Sequence, residues 1–242
     1  MSGASRFGFA VIIATLAVPA LAADVTTTAE PLPPPTPIFF VHAGALGAFA
    51  NTDASPTGGG VFQGLSNVAI RPVYTLVFEA GYFITPNFAI ALGTAVPPVT
   101  HFKATGLTPF PPSPLVPRGI PTFGTDLLGS ARYGELSLLL QYWFTQFGPL
   151  QPYIGAGGGF ALNFDNISDG ILRNFYWDQN FAFIVQAGAD YMLTPNWGVF
   201  VDAKKVWFAT DAGGFLLNTN IPTRAHVRVD PWVADVGITF KY

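Results

Sequence analysis

The last eleven residues of the chain, Trp232 to Tyr242, read W-V-A-D-V-G-I-T-F-K-Y. A β-strand sends successive side chains to opposite faces, so this segment has one apolar face and one mostly polar face. The apolar face carries Trp232, Ala234, Val236, Ile238, Phe240 and Tyr242, and the other face carries Val233, Asp235, Gly237, Thr239 and Lys241. A strand that is apolar toward lipid and polar toward a lumen is typical of a transmembrane β-barrel.

The composition of the 242-residue chain indicates a membrane protein without membrane helices. Half of the residues are hydrophobic and only 10% are charged, against about 25% in ordinary soluble proteins. After residue 23, no apolar stretch reaches the roughly 20 residues that a membrane helix needs. A closed barrel is the other structure that satisfies every backbone polar group in lipid. The net charge of −3 does not favour nucleic-acid binding, and the lack of cysteine excludes disulfides and thiolate chemistry.

The first 22 residues have the plan of a secretory signal peptide, and a buried amino-terminal helix is the less favoured alternative. A basic residue precedes an apolar run from Phe7 to Val18, and Ala20-Leu21-Ala22 follows as a cleavage site, so residues 1–22 are assigned to the signal. Residues 23–37 form a Pro-rich segment, which we interpret as a periplasmic lead-in because polyproline cannot donate ladder hydrogen bonds. Residues 38–242 form the predicted barrel.

Seven further segments share the alternation of the terminal strand and predict an all-β, eight-stranded antiparallel transmembrane barrel. Each exceeds the roughly 9–11 residues that a tilted strand needs to cross hydrocarbon. The strands are predicted at residues 38–50, 68–84, 88 onward, 130–144, 151–164, 175–193, 197–208 and 232–242. Short turns alternate with four long loops, predicted at residues 51–67, 97–129, 165–174 and 209–223. This alternation is typical of outer-membrane barrels, with the long loops outside and both chain ends periplasmic.

Aromatic residues near the predicted periplasmic ends of the strands are expected to form an interfacial belt, because Tyr and Trp rings are amphipathic. The belt is predicted to contain Tyr82, Phe83, Trp143, Phe144, Tyr153, Tyr191, Trp197 and Tyr242. Lys205 falls on the outward parity, and we expect it near the outer interface, where a long stem can extend to water.

The inward parity separates a charged level of the lumen from a more apolar level. An eight-stranded barrel is wide enough only for side chains or one small ligand. The charged inward residues predict an ion-paired plug, and a polar pathway for ions is the alternative. These charged residues are Glu79, Glu135, Asp190, Asp202, Lys204, Asp235 and Lys241. The smaller and more apolar inward residues predict the lining of a hydrophobic ligand site. These lining residues are Leu46, Gly93, Ala95, Gly157, Gly159, Ala161 and Ala182.

The sequence does not favour catalysis or metal binding. His42, His101 and His226 are the three histidines, and the last two are predicted at the extracellular rim. A rim histidine with Ser and Glu would resemble a lipid A deacylase, but the sequence around Ser130 and Ser137 does not suggest a nucleophile. No His or acid cluster has metal-ligand spacing. We therefore expect no catalytic residue, cofactor or metal, and interpret the rim histidines as loop support or headgroup contacts.

Four segments, in order along the chain, resemble the OmpW family of small outer-membrane barrels. They read LSLLLQYWF at 136–144, QPYIGAG at 151–157, QAGADYMLTPNW at 186–197 and VDPWV at 229–233. The resemblance implies a narrow, largely hydrophobic lumen in the outer membrane of a Gram-negative bacterium, and passage of small hydrophobic compounds with lateral exit through the wall. It also implies contact with outer-membrane lipids and lipopolysaccharide, and recognition of Phe240 and Tyr242 by the barrel assembly machinery.

The chain departs from the family pattern at two places. Members commonly have a Pro-Pro pair entering the fourth strand, where this chain has Arg132-Tyr133-Gly134-Glu135. Members also tend to carry A-x-P-F-x-H after the third strand, and residues 95–101 keep the proline and the histidine at a shifted spacing.

The sequence leaves three candidate functions, in order of preference. The first is a channel or carrier for small hydrophobic molecules. The second is a structural barrel or a surface receptor for phage, bacteriocin or host, and the third is a lipid-modifying enzyme.

Overall fold

The computed structural model describes residues 37–50, 52–56, 67–105, 127–170, 172–216 and 222–242. The predicted signal peptide and lead-in segment, apart from Pro37, lie outside the described residues, as does much of the predicted loops at 51–67 and 97–129. Within the described ranges, no helix is long and apolar enough to span a membrane. The described residues form a single short 3-10 helix, Thr145–Phe147, and thirteen β-strands.

The strands are numbered along the chain. They are β1 (Phe39–Phe49), β2 (Thr52–Pro56), β3 (Asn67–Ile70), β4 (Val73–Phe83), β5 (Phe88–Ala95), β6 (Val99–Thr105), β7 (Leu127–Trp143), β8 (Leu150–Ile167), β9 (Leu172–Trp177), β10 (Asn180–Met192), β11 (Trp197–Leu216), β12 (Pro222–Val229) and β13 (Trp232–Lys241).

Eight of these strands pair in a closed antiparallel ring, in the order β1, β4, β5, β7, β8, β10, β11, β13 and back to β1. The closing pair joins Phe40 to Lys241 and Phe49 to Trp232. In β13, the even-numbered residues from Trp232 to Ile238 are exposed on the outer face, whereas Asp235, Thr239 and Lys241 are buried in the lumen. The prediction of an eight-stranded antiparallel barrel is therefore confirmed.

The two ends of the barrel differ. One end carries the short turns at residues 84–87, 144–149 and 193–196 together with Tyr242, and we call it the turn end. At the opposite end, the loop end, the five other strands extend the wall. There, β12 pairs with the upper part of β11 and with β2, β9 also pairs with β11, and β6 pairs with β3 and β7.

The predicted loops are wrong where these extensions form. Residues 99–105 and 127–129, predicted as loop, belong to β6 and β7, and β11 continues through the predicted loop as far as Leu216. Neighbouring extensions pair their backbone hydrogen-bonding groups with one another, so the strands can continue beyond the part of the wall that faces lipid. Prolines mark two of the boundaries between wall and extension, Pro97-Pro98 between β5 and β6 and Pro231 between β12 and β13, because proline cannot donate to the ladder.

Side chains fill the lumen in four layers, which strand β1 crosses in order. Phe40 belongs to an aromatic layer at the turn end, and His42 belongs to a charged layer above it. Leu46 belongs to an apolar layer, and Ala50 packs against a second apolar cluster at the loop end. The loop-end cluster is built around Phe102, Leu128, Ala131, Leu172, Phe175, Trp177, Val227 and Val229.

The aromatic layer corrects part of the predicted interfacial belt. Phe83, Trp143 and Tyr153 are at most 8% exposed and pack with Phe40 inside the barrel. Their parity is that of the lumen, and a narrow barrel needs large rings to fill its end at interior packing density. Phe144 is half-buried. The remaining residues of the predicted belt are exposed on the outer face: Tyr82, Tyr191, Trp197 and Tyr242.

Candidate functional site

The charged layer of the lumen is built around Lys204. Its Nζ lies 2.5 Å from Asp235 Oδ2, 3.0 Å from Asp202 Oδ1 and 3.8 Å from Glu79 Oε2. Asp202 of β11 and Asp235 of β13 are register partners, so pairing of these strands places two carboxylates beside one cation. The hydroxyl of Tyr153 donates to Asp202 Oδ2 at 2.8 Å. All four charged side chains are almost fully buried, where unpaired charge is costly.

His42 and Asp190 form a second centre in the same layer. The imidazole Nε2 lies 3.1 Å from Asp190 Oδ1, and Nδ1 lies 3.6 Å from Glu79 Oε1. Lys241 Nζ lies 2.9 Å from Asp190 Oδ2, and the hydroxyl of Thr239 donates to the same oxygen at 2.9 Å. Asp190 therefore joins β10 to β1 and to the terminal strand β13.

Two buried amides complete the layer. Gln141 Nε2 donates to Glu79 Oε1 at 2.9 Å and to Gln186 Oε1 at 2.8 Å. Gln186 Nε2 donates to Glu79 Oε2 at 3.1 Å, and Trp143 Nε1 in the aromatic layer donates to Gln141 Oε1 at 3.1 Å. The aromatic and charged layers are thus one hydrogen-bonded unit, which fills the barrel between the turn end and the apolar layer.

The structure brings six of the seven predicted plug residues together in this layer: Glu79, Asp190, Asp202, Lys204, Asp235 and Lys241. The seventh, Glu135, is half-buried and lies higher, against the apolar layer. The predicted plug was limited to formally charged side chains. Other residues of the same inward parity were therefore missed, although the parity alone could have found them: His42, Gln141, Tyr153, Gln186 and Thr239.

An apolar cavity of about 70 Å³, which we call the chamber, lies above the charged layer. Five of the predicted lining residues border it: Leu46, Ala95, Gly159, Ala161 and Ala182. Larger side chains that were not predicted as lining residues also border it, among them Tyr133, Ile184, Val206, Phe208 and Val233. These residues lie on β7, β10, β11 and β13, which together with β1, β4, β5 and β8 enclose the chamber.

The two remaining predicted lining residues lie outside the chamber. Gly93 borders a smaller pocket below it, of about 10 Å³, together with Glu79, Ser137 and Lys204. Gly157 borders neither cavity. A Cβ at Gly157 would overlap the carbonyl oxygen of Leu138 on the neighbouring strand, so this glycine allows β7 and β8 to approach closely.

The wall beside the chamber has a gap in its hydrogen-bond ladder. Strand β5 pairs with β7 as far as Thr94 opposite Leu136, and β6 resumes the pairing at Val99 opposite Arg132. Residues 96–98 and 133–135 face each other between these points without ladder pairing to one another. The pair Pro97-Pro98 lies within the gap, on the connection between β5 and β6.

The gap is covered by side chains on the outer face. A Cβ at Gly134 would lie 2.9 Å from a ring atom of Phe164 and 3.2 Å from Pro97 Cγ, so only glycine leaves room for both. Pro98, Gly134 and the outward Phe160 border the chamber from this side. The wall is therefore closed here by side-chain contacts rather than by a continuous ladder.

The predicted rim histidines lie on separate extensions of the wall. His101 Nδ1 on β6 is 2.7 Å from Ser130 Oγ on β7, and Ser130 Oγ donates to Asp169 Oδ2 at 2.8 Å. His226 Nδ1 on β12 is 3.0 Å from Asp211 Oδ1 on β11. The contact between His101 and Ser130 was not evident from the sequence, because the two residues are 29 positions apart.

The His101–Ser130 contact lacks the order of a nucleophilic triad. In such a triad the imidazole lies between the serine and the carboxylate, so that the carboxylate orients the imidazole. Here Ser130 lies between the imidazole and Asp169, and the serine is fully buried. Within the described residues, no group of three or more His, Asp or Glu side chains is arranged to hold a metal ion.

We expect the lipid A of cells that produce the variants His101→Ala, Ser130→Ala or His226→Ala to keep the acylation pattern found with the wild-type protein. The reason is that, among the described residues, His101 contacts Ser130 rather than a carboxylate and His226 contacts Asp211 rather than a hydroxyl. Mass spectrometry of lipid A from these cells and from cells with an empty vector would test this. An acyl chain that is lost with the wild type and retained with Ser130→Ala would establish a deacylase instead.

Sequence comparisons connect this architecture to known proteins. The sequence profile of the OmpW family matches residues 124–242. Outer membrane protein AlkL of Ectopseudomonas oleovorans is 29% identical over 185 residues, which cover 76% of this chain and 73% of AlkL. Dibenzothiophene metabolism operon protein PahQ of Pseudomonas aeruginosa is 30% identical over 163 residues, which cover 67% of this chain and 69% of PahQ.

Solved structures have the same barrel. The crystal structure of OprG from Pseudomonas aeruginosa superposes with a TM-score of 0.72 at 19% identity, over 86% of this chain and 96% of OprG, and this likeness shows the fold alone. The solid-state NMR structure of AlkL in lipid bilayers superposes with a TM-score of 0.60 at 25% identity, over 91% of this chain and 97% of AlkL. The protein is thus an outer-membrane β-barrel, and the chain belongs to the OmpW family, as its four sequence segments predict.

Proposed function

We propose that the protein is a carrier that takes small hydrophobic molecules through the outer membrane and binds them in the chamber. The observation that carries the proposal is the apolar chamber above a charged layer. Protein interiors normally pack to the density of organic crystals, so a lumen that served stability alone would be filled. Apolar walls favour an apolar ligand by removing its surface from water.

The proposed route is lateral. The charged and aromatic layers occupy the lumen between the chamber and the turn end, and moving an apolar ligand through desolvated ion pairs would separate those pairs at high cost. The gap between Pro97-Pro98 and Gly134 gives a shorter path from the chamber to the lipid. In the proposed orientation the long loops are extracellular and both chain ends are periplasmic, as the alternation of loop lengths favours.

The size of the chamber constrains the ligand. At about 70 Å³ it has roughly half the volume of an apolar cavity of about 150 Å³ that holds benzene in another protein. The ligand is therefore slim, or it displaces side chains such as Phe208. The name of the relative PahQ links that protein to dibenzothiophene metabolism, and dibenzothiophene is a flat, apolar molecule of three fused rings. This relative supports the class of small hydrophobic ligands for the present chain.

Filling the chamber is expected to stop transport. Ala182 borders the chamber and is 6% exposed, whereas Ala187 lies on the outer face of the same strand. We expect Ala182→Phe to reduce uptake to the level of an empty vector, because the ring occupies the chamber, and Ala187→Phe to retain at least about half of the wild-type rate, because its ring enters lipid. The measurement is the conversion of naphthalene by a dioxygenase inside cells that produce each variant.

Both variants must form barrels for the comparison to be valid. A folded barrel migrates differently on gels before and after boiling, and this difference serves as the control. Uptake by folded Ala182→Phe at the wild-type rate would contradict the proposal, as would wild-type uptake no faster than that of the empty vector.

Other roles remain predictions. The receptor role depends on the long loops, and much of the loops at 51–67 and 97–129 lies outside the described residues. Binding of lipopolysaccharide by the outer face, and recognition of Phe240 and Tyr242 by the barrel assembly machinery, are likewise proposals for this chain.

A further inference from the structure

One carboxylate faces the chamber from its floor. Glu135 is half-buried and borders both the chamber and the smaller pocket below it. The ion pairs of Lys204 go to Asp235, Asp202 and Glu79, so this cation is engaged in the charged layer beneath. Glu135 accepts a hydrogen bond from the side chain of Ser137 and keeps further acceptor positions for a group that occupies the chamber.

The smaller pocket gives the floor room for one polar group. It is bordered by Glu79, Gly93, Ser137 and Lys204 as well as by Glu135, and its volume is about 10 Å³, close to the space of about 10–15 Å³ that one water molecule requires. In the ladder, Gly93 lies directly opposite Glu79 on one side and Ser137 on the other. A Cβ at position 93 would lie 2.6 Å from Ser137 Oγ, so the glycine keeps the pocket open.

The geometry points to apolar molecules with a single hydroxyl group, such as alcohols or phenols, as the ligands of the chamber. The apolar body occupies the chamber and the hydroxyl reaches the floor, where it donates to the carboxylate of Glu135, which also accepts from the hydroxyl of Ser137. A hydroxyl is suited to this position because it donates a hydrogen bond to the carboxylate and carries no charge of its own. This inference rests on the proposed function and adds the chemical class of the ligand.

Other head groups fit the floor less well. An alkane supplies no hydrogen bond, so it would cover the Glu135 carboxylate with apolar surface and leave it only the hydrogen bond from Ser137, which is costly for a charged group. A fatty-acid carboxylate would place a second negative charge beside Glu135 and Glu79. A protonated amine would pair with Glu135 but would lie beside the ammonium group of Lys204, which borders the same pocket.

Alanine methyl groups allow the inference to be tested inside the chamber. Ala48, Ala95, Ala161 and Ala182 border the chamber, and Ala187 on the outer face reports ligand dissolved in the membrane. The protein is labelled with ¹³C-methyl alanine, placed in lipid nanodiscs and titrated with octane, 1-octanol and octanoate. We expect the chamber methyl signals to shift at a 1-octanol concentration at least tenfold lower than that of octane or octanoate.

Variants separate the head group from the chamber. Glu135→Leu should bind octane and 1-octanol equally, whereas Glu135→Gln should keep part of the preference because an amide oxygen still accepts. Gly93→Ala should weaken binding of 1-octanol and leave octane unchanged, since it fills the smaller pocket. It also provides the test if Glu135→Leu does not fold.

The outcomes are distinguishable. Equal shifts with octane and 1-octanol in the wild type would overturn the inference and leave the chamber as a hydrophobic site. A preference for 1-octanol that survives in both Glu135→Leu and Gly93→Ala would also overturn it. If neither probe moved the chamber methyl signals, the proposed function itself would fail.

Discussion

Lys204→Met is expected to lower the free energy of unfolding by about 3–5 kcal/mol, because it removes the cation from a group of buried carboxylates. Asp235, Asp202 and Glu79 would remain, each at most 6% exposed and without their shared ammonium group. Methionine has nearly the length of lysine and is apolar, so the packing is preserved and the lost charge dominates. Urea unfolding in lipid vesicles would measure the change.

The adjacent lysine provides a matched control. Lys205 lies on the outer face, where its Nζ donates to the carbonyl oxygen of Asp230 at 2.5 Å and lies 5.3 Å from the ring centre of Trp232. We expect Lys205→Met to cost about 1 kcal/mol or less, the usual value of an exposed cation–π contact. The double variant Lys204→Met/Asp235→Asn should recover part of the loss, because one uncompensated charge is removed. Equal losses for the two single variants would contradict an ion-paired plug.

Gly44→Ala is expected to prevent closure of the barrel or to destabilise it by about 3 kcal/mol or more. Gly44 of β1 faces Gly237 of β13 in the pair of strands that closes the ring. A Cβ at Gly44 would overlap the carbonyl oxygen of Val236 and lie 2.8 Å from the Cα of Gly237. These are backbone atoms, so they cannot move aside without breaking the ladder that satisfies the wall in lipid.

Gly47 is the control for Gly44 on the same strand. A Cβ at Gly47 would meet only side-chain atoms, at 3.3 Å from Phe49 and 3.4 Å from Tyr74. Both rings are exposed on the outer face and can move, so Gly47→Ala should change the free energy of unfolding by no more than about 0.5 kcal/mol. The fraction of protein that migrates as the folded band without boiling measures closure. Equal folded fractions for the two variants would show that the closing seam tolerates a side chain.

The face of each membrane-spanning strand could be predicted from the sequence, because burial alternates with every residue. In β5, Ile90 and Leu92 are exposed to lipid, and Ala89 and Ala91 are buried in the lumen. The loop-end extensions could not be predicted from an apolar outer face, because their outer face is polar. Residues 224–229 alternate with the opposite polarity, since beyond the lipid the outer face meets water and the inner face packs against the loop-end cluster.

The members of the charged layer were largely predictable, but their partners were not. Inward parity marks Glu79 and Gln186, yet nothing local predicts that side chains 107 positions apart form a hydrogen bond. The same holds for Glu135, which shares the parity of the plug residues and nevertheless borders the chamber. Its height in the lumen depends on the register between β7 and its neighbours, and register is a property of strand pairs rather than of one strand.

The sequence by itself determined the barrel, the family and which residues face the lumen, because the period-two alternation of a strand is a local property that each segment carries independently. The tertiary structure alone decided how the lumen is divided. The charged layer, the chamber above it, Glu135 on the chamber floor and the contact of His101 with Ser130 all depend on strand order and register. These join residues far apart in the chain, so no single segment encodes them.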